Sequence, residues 1–197
     1  MPITHLLYLH GFRSSPQSNK ARWFAEHMQH HPEVHWRCPQ LPASPAEAMD
    51  LVAKEIRSWP RERMAVIGSS LGGFYASWVA QQFACPSVLL NPAVDPARDL
   101  ARYIGEHTAW HNPQERLFFR AEYILELQAL DMRRRPAAGP ELAIIAKGDE
   151  LLDWREMVER YPEAQQILLE GGDHALSDFP IHLPAVMQFL GLHTPQR

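Results

Sequence analysis

Met64-Ala65-Val66-Ile67-Gly68-Ser69-Ser70-Leu71-Gly72-Gly73 joins a short apolar run to Gly-x-Ser-x-Gly and then to a long apolar helical segment, Phe74 to Phe83. The run is strand-like in its β-branched residues. The whole stretch has the sequence form of a nucleophile elbow, in which a serine sits on a sharp strand-to-helix turn. Such a turn strains the serine backbone and brings strand and helix almost into contact. Side chains two residues before and two after the serine would collide, so Gly68 and Gly72 fit where larger residues would not. Gly73 lets the helix start lie close to the sheet. Ser70 is the candidate nucleophile, and Ser69 is out of frame.

Outward from this stretch, strands alternate with helices. Thr4 to Leu9 is a nearly continuous apolar run, as a strand buried on both faces should be. It ends in the loop His10-Gly11-Phe12-Arg13-Ser14-Ser15-Pro16. Ser18 is placed to cap a helix through about Gln29, with Ala21, Phe24, Ala25 and Met28 inward. Val34 to Cys38 reads as a second strand. Ser44-Pro45-Ala46-Glu47 is a capping-box signature for a helix to about Ser58. After the elbow helix, 71–83, come strands at 87–91, 142–146 and 166–170 and a closing helix, Ile181 to Leu190, with Gly191 as its C-cap glycine. The pattern predicts an α/β fold with a mainly parallel sheet flanked by helices. Residues 92–140 interrupt it. They read as helical fragments without strand patterning and form the candidate lid of a single domain spanning 1–197.

Bulk composition fits that reading. At 197 residues one core would bury about 70% of the unfolded surface. Hydrophobic residues at 46%, charged residues at 21% and a formal charge of −4 describe an ordinary globular chain with neither sign massed. No nucleic-acid or membrane partner is expected. Arg133-Arg134-Arg135 is explained by a solvated turn. Cys38 and Cys85 suggest neither a disulfide framework nor a zinc site. The Met1–His5 start lacks signal-peptide features, so the expected location is cytoplasmic. His27, His30, His31 and His35 crowd one region, but an exposed helix end accounts for them more simply than a metal does.

An activated serine needs a base, an orienting acid and oxyanion donors, and open parallel sheets gather such groups at strand carboxyl ends. Lys147-Gly148-Asp149-Glu150-Leu151-Leu152-Asp153 follows one strand. Asp149, directly off its end, is the favoured acid, with Glu150 and Asp153 as alternatives; Asp153 also fits a helix cap. Gly171-Gly172-Asp173-His174 follows the last strand. His174 completes the chain order Ser70, Asp149, His174, whereas His182 belongs to the closing helix. The backbone N–H groups of Leu71 and Phe12 are the candidate oxyanion donors.

Tyr8 to Pro16, Gly68 to Gly73, Asn91-Pro92-Ala93, Gly148-Asp149-Glu150 and Gly171-Gly172-x-His174-Ala175 together resemble the small bacterial α/β-hydrolase esterases of the YqiA type (UPF0227-like). The resemblance runs over essentially the whole chain. It implies an α/β-hydrolase fold, hydrolysis of carboxylic esters or thioesters, and a catalytic triad at Ser70, Asp149 and His174; it leaves the natural substrate open, and Asp173 is given no role.

The expectation is a serine hydrolase that uses no metal or cofactor and acts on small-molecule esters or thioesters of short to medium acyl groups. An amidase or peptidase on the same triad, or a hydrolase-fold binding protein without turnover, are the alternatives. Apolar residues of 92–140, among them Tyr103, Leu117, Phe119, Tyr123 and Leu127, either pack that segment down or line an acyl pocket.

Overall fold

A computed structural model describes residues 2–110, 112, 114–133 and 137–192. In chain order the elements are β1 (His5–Leu9), α1 (Asn19–Met28), β2 (His35–Arg37), α2 (Pro45–Ile56), β3 (Met64–Ser69), α3 (Leu71–Phe83), β4 (Ser87–Leu90), α4 (Pro96–Leu100), β5 (Gly105–Thr108), β6 (Arg116–Phe119), α5 (Glu122–Ala129), β7 (Glu141–Ala146), α6 (Trp154–Arg160), β8 (Gln165–Leu169) and α7 (Leu183–Phe189). The main sheet has six strands in the order β2-β1-β3-β4-β7-β8, and every pairing in it is parallel.

Side-chain alternation sorts the strands onto two cores. Leu7, Leu9, Val66, Leu89, Ala143 and Ile145 face α2, α3 and α6. Leu6, Tyr8, Ile67, Leu90, Ile144 and Ala146 face α1 and α7. Both faces are covered, which is why these strands read as unbroken apolar runs. From β1 the chain winds first to the edge strand β2 and then back to β3, so β1 and β3 flank a topological switch point, where a ligand crevice is expected at the strand carboxyl ends.

Local signals explain several boundaries. Ser44 accepts the Glu47 N–H at 3.2 Å and starts α2. Its hydroxyl also donates to Glu126 Oε2 at 2.7 Å, pinning α5 to α2. Ser18 stands at the start of α1 but makes no side-chain capping bond; its hydroxyl lies near the buried Tyr8 phenol. Gly191, at φ 67°, follows α7, which begins two residues later than its sequence pattern suggests because Phe179–Ile181 form a separate 3-10 turn.

The 92–140 segment differs from expectation. Besides α4 and α5 it contains a hairpin, β5 and β6, paired antiparallel with Gly105 opposite Phe119 and Thr108 opposite Arg116. The hairpin is stapled to the loop after β1. Trp110 N–H donates to Arg13 O at 2.9 Å. The Arg13 Nε–H donates to Thr108 O at 2.7 Å, and its guanidinium lies 4.1 Å from the Trp110 ring centroid. Phe119 is fully buried and meets the Phe12 ring edge-on at 5.3 Å between centroids.

The histidine-rich region is also not a simple exposed helix end. His31 is buried and its Nδ1 lies 3.1 Å from Glu33 Oε1. His35 instead packs on His5 and Trp59. Arg133 pairs with Asp95 and Asp131, while Arg134 and Arg135 lie outside the described residues. No helix among the described residues is long and apolar enough to cross a membrane.

Candidate active site

β3 ends where Ser70 adopts φ 57° and ψ −122°, a conformation that costs a non-glycine residue about 1–3 kcal/mol. The surroundings hold it there. Ser70 N–H donates to Leu90 O at 3.0 Å, while its carbonyl accepts from Gly73 N–H at 2.8 Å and Ala93 N–H at 3.0 Å. The glycines serve the close approach, though with different partners than a simple mutual clash. A Cβ on Gly68 would overlap the Gly72 carbonyl and stand 2.7 Å from Ala76 Cβ. One on Gly72 would overlap the Leu9 carbonyl of β1. Gly73 lies tightest against Pro92 of the loop after β4, and a Cβ there would also stand 3.5 Å from the Gly68 carbonyl of β3. Ser69 is turned away, toward Tyr8 on the other face.

His174, in the loop after β8, reaches Ser70. Its Nε2 lies 2.9 Å from Ser70 Oγ and its Nδ1 lies 2.8 Å from Asp149 Oδ2. With Nδ1–H donating to the carboxylate, Nε2 is the acceptor for the serine hydroxyl. The Asp149 side chain is 0% exposed and that of His174 only 16%, so the chain of three runs from a dry acid to a nearly dry base. Asp149 is itself fixed: Oδ1 accepts the N–H groups of Leu151 and Leu152, both at 2.9 Å, which leaves Oδ2 for the imidazole. The neighbouring acids are used otherwise. Glu150 Oε2 accepts His174 N–H at 2.9 Å, and Asp153 Oδ1 accepts Arg155 N–H at 2.9 Å to cap α6. His182 lies 3.3 Å from Asp178 and away from the serine. Asp173 accepts the Ser177 hydroxyl and N–H, bonds that hold its carboxyl below the usual range.

Two backbone N–H groups lie close to the serine. Leu71 N–H opens α3, where the first N–H groups have no intrahelical acceptor. The loop after β1 passes beside Ser70: a methyl placed on Gly11 would stand 3.7 Å from Ser70 Oγ. Neither Leu71 N–H nor Phe12 N–H has a backbone acceptor among the described residues. Buried His10 orients the second. Leu41 N–H donates to its Nε2 at 3.0 Å, so the ring proton is on Nδ1 and donates to Gly11 O at 3.0 Å. In a planar trans peptide C=O and N–H point oppositely, so fixing Gly11 O aims Phe12 N–H the other way.

Asn91 escapes a sequence reading that looks only for acids, bases and nucleophiles. Fully buried and at φ 41°, it leaves β4 in the left-handed region and continues the ladder with its side chain. Its Oδ1 accepts Ala146 N–H at 2.8 Å. Its Nδ2 donates to Asp173 O at 3.0 Å and His174 O at 3.2 Å. One amide thus joins the end of β7, before the acid, to the loop of the base. An Asn at a strand end, tolerant of positive φ and followed by Pro, was the available signal. Behind the same loop, Lys20 Nζ donates to Ala175 O; burial pushes its pKa down to about 8, against the pull of Asp173 and Asp149. Among the described residues no group of three or more His, Cys, Asp or Glu side chains is placed to hold a metal.

A six-stranded parallel sheet flanked by helices, with a serine on a strand-to-helix turn and Ser, Asp and His in that chain order, defines an α/β-hydrolase fold. The chain belongs to the uncharacterised protein family UPF0227, whose model matches residues 5–191. Among solved structures it resembles a protein of Agrobacterium vitis S4 with a TM-score of 0.78 at 17% identity, over 95% of this chain and 88% of that one. It also resembles one of the metagenome-derived lipolytic enzymes LipS and LipT, with a TM-score of 0.75 at 19% identity over 98% and 95%. A third, Est1E of Butyrivibrio proteoclasticus with ferulic acid bound, gives 0.71 at 14% identity over 96% and 87%. At these identities the likeness establishes the fold, and the neighbours include esterases.

Proposed function

We propose that the protein is a serine hydrolase of carboxylic esters or acyl thioesters of short to medium acyl groups. The observation that carries this reading is the continuous Asp149–His174–Ser70 hydrogen-bonded chain, with contacts of 2.8 and 2.9 Å, at the carboxyl ends of three strands. The esterase and lipolytic character of the structural neighbours supports the same class.

In this mechanism Ser70 Oγ attacks the acyl carbonyl as His174 Nε2 takes its proton. Asp149, held by two amides on its other oxygen, keeps the imidazole in the required tautomer and stabilises the imidazolium. The N–H groups of Leu71 and Phe12 receive the oxyanion, each contributing roughly 3 kcal/mol to lowering the barrier. His174 then protonates the leaving oxygen or sulfur. A water deprotonated by the same imidazole attacks the acyl-enzyme, and the acid departs from Ser70.

Fluorophosphonate labelling of wild type and Ser70→Ala, followed by matched ester, thioester and amide substrates, tests the reading. The expected result is a single adduct on Ser70, absent from the alanine variant, with ester or thioester turnover exceeding amide turnover. Folded wild type that takes no label would sink the proposal.

A further inference from the structure

A cavity of about 430 Å³ adjoins the serine, walled by Gly11, Phe12 and Leu71 but by no residue of the loops after β7 and β8. That asymmetry determines what it can hold, given the serine-hydrolase reading above. A leaving group must lie beside His174, which protonates it, and the oxyanion must lie on the two amides. The remaining substituent of the tetrahedral carbon, the acyl group, therefore runs past Leu71 and Phe12 into this cavity. Its volume falls within the roughly 300–1,000 Å³ of small-molecule sites.

The walls are mostly apolar: Leu41, Pro42 and Ala43 on one side, Leu51 from α2, and Ala109 and Leu117 from the β5–β6 hairpin region. Of its buried polar side chains, His10 is occupied at both ring nitrogens. Tyr75 is not. It is 2% exposed, and its hydroxyl has no hydrogen-bond partner among the described residues. Burial, with Glu126 nearby, keeps the phenol protonated. Tyr75 lies four residues beyond Leu71 on the same face of α3, about 6 Å deeper along the helix. The hydroxyl oxygen is not sealed from solvent, so water serves it in this cavity; a ligand acceptor takes that water's place, whereas an alkyl chain would leave the hydroxyl unpaired.

We propose that this cavity is the acyl pocket and that Tyr75 is its specificity residue, selecting acyl groups that carry an oxygen acceptor a short chain beyond the carbonyl over hydrocarbon chains of equal size. The hairpin supplies the opposite wall, so the 92–140 segment shapes the pocket through its strands.

The test is kcat/KM for p-nitrophenyl alkanoates from acetyl to dodecanoyl, each paired with an analogue in which one chain methylene is replaced by an ether oxygen. Wild type should favour one oxygenated ester over its partner by about tenfold, a modest figure for a site built to hydrogen-bond. Tyr75→Phe should bring that ratio to about one. Leu51→Trp, which fills the cavity, should lower the dodecanoyl-to-acetyl ratio by about tenfold. Fluorophosphonate labelling of each variant reports an intact serine and histidine. Tyr75→Phe that leaves the oxygenated-to-plain ratio unchanged, or Leu51→Trp that leaves the length profile unchanged, would overturn the pocket assignment while the catalytic reading stands. Wild type that neither labels nor hydrolyses any ester overturns both.

Discussion

Asn91→Ala should loosen the site without touching a reacting atom. The substitution removes three hydrogen bonds, at 2.8, 3.0 and 3.2 Å, and leaves the Ala146 N–H without its acceptor. That orphaned donor alone costs about 1–3 kcal/mol, and the two lost donations about 1 kcal/mol each. Alanine at the φ of 41° adds roughly 1 kcal/mol, since asparagine tolerates the left-handed region better. The sum is about 4–6 kcal/mol, enough to lower Tm by roughly 10–20 °C in a chain of this size without unfolding it. Urea unfolding measures that loss. Catalytically, the loops of Asp149 and His174 lose their common tie, and a base displaced by about 1 Å lowers kcat by up to about 10²-fold. KM should change little, because Asn91 does not line the cavity. The low-field proton resonance of His174 Nδ1–H should broaden or shift, a signature that mere destabilisation elsewhere would not produce. Asn91→Asp keeps the acceptor for Ala146 but loses the paired donors, so it should recover stability more than turnover. Loss of less than about 1 kcal/mol in Asn91→Ala, with kcat and the resonance unchanged, would refute the assigned role.

Further outcomes follow from individual contacts. Asp149→Asn should place its amide oxygen toward the N–H groups of Leu151 and Leu152 and its NH2 toward His174 Nδ1, favouring the wrong tautomer; kcat should fall by about 10⁴ with KM and the melting curve little changed. Gly72→Ala puts a methyl into the Leu9 carbonyl, whereas a methyl at Gly171 meets nothing within 4 Å; the first should cost several kcal/mol by denaturant unfolding, beyond the usual range of single substitutions, and the second under about 1 kcal/mol. Burial pushes the thiols of Cys38 and Cys85 from 9.0 up to about 12. The folded chain therefore keeps two protons that the unfolded chain releases, so these groups make stability fall as pH rises from about 9 to about 12. Native protein at pH 8 should react slowly with a thiol-directed disulfide reagent and release two equivalents only in urea.

What was legible in the sequence was the part of the site that local chemistry dictates. Gly68, Ser70 and Gly72 announce a turn that few other residues can make, and a carboxylate or imidazole directly after a buried strand has one sheet edge on which to sit. The residues that align these groups gave no comparable signal, because Asn91, His10 and Glu150 act through backbone partners far away in the chain. Asn91 bonds across 55 residues to Ala146 and 83 to His174, and no local pattern encodes such a pairing. The hairpin was hidden for a different reason. Phe119, Tyr123 and Leu127 recur at four-residue spacing, as one face of a helix would, yet Phe119 ends β6 and the helix begins at Glu122. What holds Phe119 out of that helix is tertiary: its ring is buried against Phe12, and the hairpin is tied through Thr108 and Trp110 to Arg13. Phe12 and Arg13 are adjacent in the loop that passes beside Ser70. The segment the sequence left least readable is therefore mechanically continuous with the proposed oxyanion loop, and a change in the hairpin should alter the position of an oxyanion donor as well as the shape of the acyl pocket.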